Sequence, residues 1–60
     1  MNSYILDNQD ILIQVVNKEV TVIKKDTKEN AKVEFTHSET VWKYINVLGY
    51  SQDQFSEVPF

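Results

Sequence analysis

Ser38–Gly49 reads SETVWKYINVLG and carries the one strong helix signal in the chain. Val41, Ile45 and Leu48 recur at spacings of four and three, so a 3.6-residue turn gathers them on one face. Tyr44 and Trp42 border that face on either side, and Glu39, Lys43 and Asn46 fall opposite. Glu39 precedes Lys43 by four residues, the favourable order for an exposed pair worth about 0.3 kcal/mol. Two starts compete: Thr36 with Glu39 makes a capping box, and Ser38 alone supplies a capping oxygen. Gly49 suits the left-handed position just past the last turn. A rod of about three turns is marginal alone in water. Its apolar stripe therefore needs a surface to dock on, and the residues before it must supply that surface.

Those residues alternate at strand period. Ser3–Leu6 (SYIL), Ile11–Val16 (ILIQVV), Val20–Lys25 (VTVIKK) and Lys32–Thr36 (KVEFT) read as four strands. ILIQVV is the most apolar and reads as a central strand. Asp7–Asp10, Asn17–Glu19 and Asp26–Asn30 separate the strands with turn-forming residues, Asn30 being assigned the left-handed position. Short turns between successive strands imply an antiparallel meander. The expected fold is thus α+β in two layers. A four-stranded antiparallel meander is followed by one helix packed on one face, with a short aromatic C-terminal tail, all in one small domain over residues 1–60.

An even-numbered turn after Val16 puts Ile11, Ile13 and Val15 on the same face as Val20 and Val22, joined by Val33 and Phe35. That set is expected beneath Val41, Ile45 and Leu48. A one-residue slip would instead place Val20 and Val22 with Leu12 and Val16. The first register gathers more branched side chains under the helix and is preferred. The other face then holds Leu12, Gln14, Val16, Thr21, Ile23, Lys25, Glu34 and Thr36. Leu12, Val16 and Ile23 are either scattered surface aliphatics or covered by the tail, or they form a contact surface.

The tail, Tyr50–Phe60, reads YSQDQFSEVPF. Ser51 and Gln54 match a capping box, which predicts a short helical turn over Gln52–Ser56. Pro59 makes Val58 extended. The favoured reading has Phe55 and Phe60 plugging the end of the core. The other has the tail presenting its aromatics to a partner.

Composition narrows the function classes. Sixty residues give a small core, and the absence of cysteine rules out disulfides and thiolate metal sites. One glycine leaves no phosphate-cradling loop. His37, Ser38 and Glu39 are sequence neighbours, which rarely assemble a triad. Asp7 with Asp10, and Asp26 with Glu29, lack the spacing of a calcium loop. No catalytic residue, cofactor or metal is expected. Neither a leader nor a membrane-spanning run is legible, so a soluble, cytoplasmic protein is expected.

What remains is a small non-enzymatic regulatory or inhibitory protein that binds another protein. Phage and mobile-element accessory factors are often of this type, which is an association and not a deduction. The expected contact residues are Leu12, Val16 and Ile23, with Trp42 and Phe60 as aromatic anchors. A second copy of the chain is one candidate partner. The alternative is nucleic-acid binding. Net charge is −3, yet five of the six lysines lie between residues 18 and 32. Lys24, Lys25, Lys28 and Lys32 surround one β-turn that could meet phosphates. Against this, the chain has no arginine to read bases, and its aromatics are not interleaved with the lysines.

Overall fold

The computed structural model describes residues 2–59, with the backbone alone of Asn2 and Pro59. The elements are β1 (Asn2–Asp7), β2 (Ile11–Val16), β3 (Glu19–Lys24), β4 (Asn30–Glu34), α1 (Ser38–Val47), a 3-10 turn (Gln52–Gln54) and β5 (Ser56–Pro59). The strands form one sheet in the order β4-β3-β2-β1-β5, with every neighbouring pair antiparallel. The fold is α+β, with the meander in sequence order and β2 at the centre of the sheet. The fifth strand was not legible in the sequence. Ser56–Pro59 is short, polar and contains a proline, so it lacks the alternation that marks a strand. It forms because the outer edge of β1 has N–H and C=O groups that need partners.

Turn chemistry fixes the register. Only Asn17 and Lys18 separate β2 from β3, and Asn17 takes the left-handed conformation (φ 57°). Asparagine tolerates that region better than most residues. The even count pairs Val15 with Val20 and Ile13 with Val22, the preferred register. Between β1 and β2, Asn8 Oδ1 accepts the N–H groups of Asp10 and Ile11 at 2.8 and 2.9 Å, an Asx turn. In the β3–β4 loop Lys28, not Asn30, is left-handed (φ 60°). Asn30 is already committed to β4 opposite Ile23, where the backbone must be extended.

The helix departs from expectation at both ends. Neither Thr36 nor Ser38 caps it; extended His37 occupies the N-cap and makes no side-chain bond there. At the other end Gly49 is left-handed (φ 99°), its N–H donates to Asn46 O and the Tyr50 N–H donates to Ile45 O. These two bonds form a Schellman motif. The turn brings Tyr50 back against the core and leaves Leu48 38% exposed. Leu48 therefore does not join the buried stripe, although its spacing fits.

Leu6, Ile13, Val15, Val20, Val22, Val41 and Ile45 form the buried core. A helix is about 10 Å wide, while five strands at about 4.8 Å spacing span about 19 Å between their outer axes. One helix cannot cover that width, and aromatic side chains fill both flanks. Phe35 meets Tyr44 on the β4 side, ring centroids 5.4 Å apart. Trp42 sits between Tyr4 and Phe55 on the β1 side, edge-on to both at 5.2 and 5.5 Å. The tail thus docks through Phe55. Ser51 and Gln54 form the expected capping box, over a turn that ends at Gln54 and not Ser56.

Three substitutions test this account by chemical denaturation. Ile45→Ala should cost about 2–5 kcal/mol, and Leu48→Ala much less. A Cβ on Gly49 meets nothing within 4 Å. Gly49→Ala should therefore cost only its backbone strain, about 1–2 kcal/mol.

Candidate functional site: the uncovered face of the sheet

The helix and its flanking aromatics dry one side of the sheet. Antiparallel pairing puts directly opposed residues on the same side. Three rows therefore line the other side. The first is Glu34, Glu19, Val16, Ser3 and Val58; the second is Lys32, Thr21, Gln14, Ile5 and Ser56; the third is Asn30, Ile23, Leu12 and Asp7. Among the described residues, no helix or loop lies across these rows. Leu12 and Ile23 are direct cross-strand partners, and Val16 follows Leu12 on the same face with Gln14 between them. All three are half-buried.

The structure extends the patch by two residues that the sequence reading left out. Ile5 and Val58 are also half-buried on this face. Alternation along β1 already set Ile5 apart from Tyr4 and Leu6. Val58 could not be placed without knowing that the tail forms a strand. Ser3 is fully buried between Val16 and Val58, and its hydroxyl donates to Val58 O at 3.4 Å. The result is an apolar diagonal, Val58–Val16 to Ile5 to Leu12–Ile23, broken by neutral hydrogen-bonding side chains. Charges border it. Lys25 pairs with Asp7 at one corner, and Lys32 lies 3.8 Å from Glu19 at the other. Such exposed pairs add at most about 1 kcal/mol. Completing the burial of each half-exposed aliphatic would contribute on the order of 1 kcal/mol.

The other expected anchors fall elsewhere. Trp42 belongs to the ring cluster on the helix side, half-buried, and is separated from Leu12, Val16 and Ile23 by the sheet. Phe60 lies outside the described residues. The four lysines do not share a face. Lys24 pairs with Ile11 and points to the helix side, while Lys32 pairs with Thr21 and points to the open side. Lys25 and Lys32 each have a carboxylate partner, and Lys28 sits at the loop tip. His37, Ser38 and Glu39 lie exposed at the helix entrance.

Because the patch is only half-buried, Leu12→Ser and Ile23→Ser should each lower unfolding free energy by about 1 kcal/mol or less. Phe55→Ala should cost about 3 kcal/mol and shift Trp42 fluorescence to the red as water reaches the indole. Compared with known protein families, characterised proteins and solved structures, the chain gives no match.

Proposed function

We propose that the protein is a binding module whose open sheet face docks on another protein, in a regulatory or inhibitory role without chemistry of its own. One observation carries this reading. Five aliphatic side chains, Ile5, Leu12, Val16, Ile23 and Val58, share one side of the sheet, and no described element covers them. Contiguous apolar surface on a small protein marks an interaction site more often than chance exposure does. The interspersed Gln14 and Thr21 add neutral hydrogen-bonding groups, and the charges stay at the rim. That arrangement matches the dry centre and polar rim of protein interfaces. The absence of cysteine suits a reducing, cytoplasmic setting.

The nucleic-acid reading is the weaker one. Its four lysines are divided between the two sides of the sheet and partly neutralised. A phosphate backbone needs them on one surface.

Salt separates the two in a capture experiment with immobilised protein. A partner held by the apolar face should stay bound at about 1 M salt, where charge attraction is screened over a few ångströms. It should be lost when Leu12 and Ile23 are both changed to serine, and kept when Lys24 and Lys28 are changed to glutamine. Elution by moderate salt together with loss on the lysine changes would overturn the proposal in favour of nucleic acid.

A further inference from the structure

The edge strand β4 carries a self-complementary pattern, and from it we infer that two copies of this chain pair edge to edge into a continuous ten-stranded sheet. The Lys24 N–H donates to Glu29 O at 2.8 Å, and the Phe35 N–H donates to Lys18 O at 2.8 Å. Both pairs lie in the β3–β4 register. In an antiparallel ladder, hydrogen-bonded pairs alternate with non-bonded ones. Residues 29, 31, 33 and 35 therefore turn their N–H and C=O groups towards β3. Asn30, Lys32 and Glu34 turn theirs outward, where no described strand meets them. The opposite edge is less receptive, because β5 ends in Pro59, which has no N–H to offer.

The outward groups restrict how a second β4 can align across a twofold axis, since an outward residue pairs only with another outward residue. Centring the axis on Lys32 would set two ammonium groups against each other, which edge lysines serve to prevent. Centring it on Val33 sets Lys32 opposite the second copy's Glu34, and Glu34 opposite the second copy's Lys32. The backbone groups of both pairs then face each other correctly. Within one chain Glu34 stands directly across from Glu19, a like charge, and no ion pair is formed by it among the described residues. Lys32 of the same chain lies 3.8 Å from Glu19, and the second copy's lysine adds a cation beside Glu34.

The helix side of the same strand agrees. Val33 meets Val33 of the second copy at the axis. Ala31 comes opposite the second copy's Phe35, so a small side chain faces a large one. Both helices lie on one side of the joined sheet and both apolar faces on the other, so this contact meets the open face only at its charged border, through Lys32 and Glu34, and leaves the apolar diagonal free. The overlap is short, which makes the dimer weak, with Kd on the order of 0.1 mM.

Charge reversal tests both the dimer and its register. Sedimentation equilibrium should show wild-type protein dimerising below about 1 mM. Lys32→Glu and Glu34→Lys should each weaken self-association about tenfold or more, because two attractive pairs become repulsive. An equimolar mixture of the two variants should recover the dimer, since each carboxylate of one chain then faces an ammonium of the other. The chain carrying both substitutions should also recover it. Circular dichroism checks that the variants stay folded. Three results would each overturn the inference: a wild-type monomer at about 1 mM, single variants that dimerise like wild type, or a mixture that does not recover. Loss of the dimer on Leu12→Ser with Ile23→Ser, but not on charge reversal, would overturn it too, by moving the contact to the open face.

Discussion

A helix of ten residues is about 15 Å long and 10 Å wide, and among the described residues it is the one α-helix laid on the sheet. The sheet has two sides, each with alternating aliphatic side chains. The helix can dry one of them, and only with help from Phe35, Tyr4, Trp42, Tyr50 and Phe55 at its flanks. Those aromatics are drawn to the helix side because Val41 and Ile45 have already made it the dry one. The remaining aliphatics, Leu12, Val16, Ile23, Ile5 and Val58, are left to face outward. Among the described residues no element is left to cover them, and the patch is as much a part of the architecture as the core.

Which aliphatics end up on which side depends on the two-residue link between β2 and β3. With Asn17 left-handed, Val16 pairs with Glu19 and the whole of β3 follows in register. A slip of one residue would have put Leu12 and Val16 with Val20 and Val22 on one side of the sheet. The patch and the core are therefore two outcomes of a single turn. β1 and β4 inherit their registers from β2 and β3, and β5 inherits its register from β1. The edge pattern of Lys32 and Glu34 around Val33 depends on the same chain of pairings.

Much of this was legible in the residues. Strand period in ILIQVV and KVEFT, helical period in VWKYI, and Asn, Asp and Gly at the breaks all acted over a few residues, where local sterics decide. The preferred register, the central place of β2 and the Ser51–Gln54 capping box belong to the same class. Of the patch, Leu12, Val16 and Ile23 could be placed together because alternation within neighbouring strands is itself a local signal. Trp42 was singled out for its residue type alone, and residue type does not say which side of a sheet a helix will take.

The sequence by itself determined the four meander strands, the helix, their order and which aliphatics alternate together within each strand, because each rests on a period or a turn that a short segment encodes; the register between β2 and β3 was a preference that the structure decided. Tertiary structure alone decided the rest. Ser56–Pro59 became a strand only because β1 offered an unpaired edge, and this brought Val58 to the patch. Leu48 lost its place to Tyr50 because the Schellman turn redirected the chain. Trp42 was taken into the ring cluster because Tyr4 and Phe55, from distant parts of the chain, met on either side of it. For Val58 and Trp42 the deciding partner lay far away in sequence, where no local pattern reaches, and for Leu48 it was the path of the chain after Gly49 that set Tyr50 against the core.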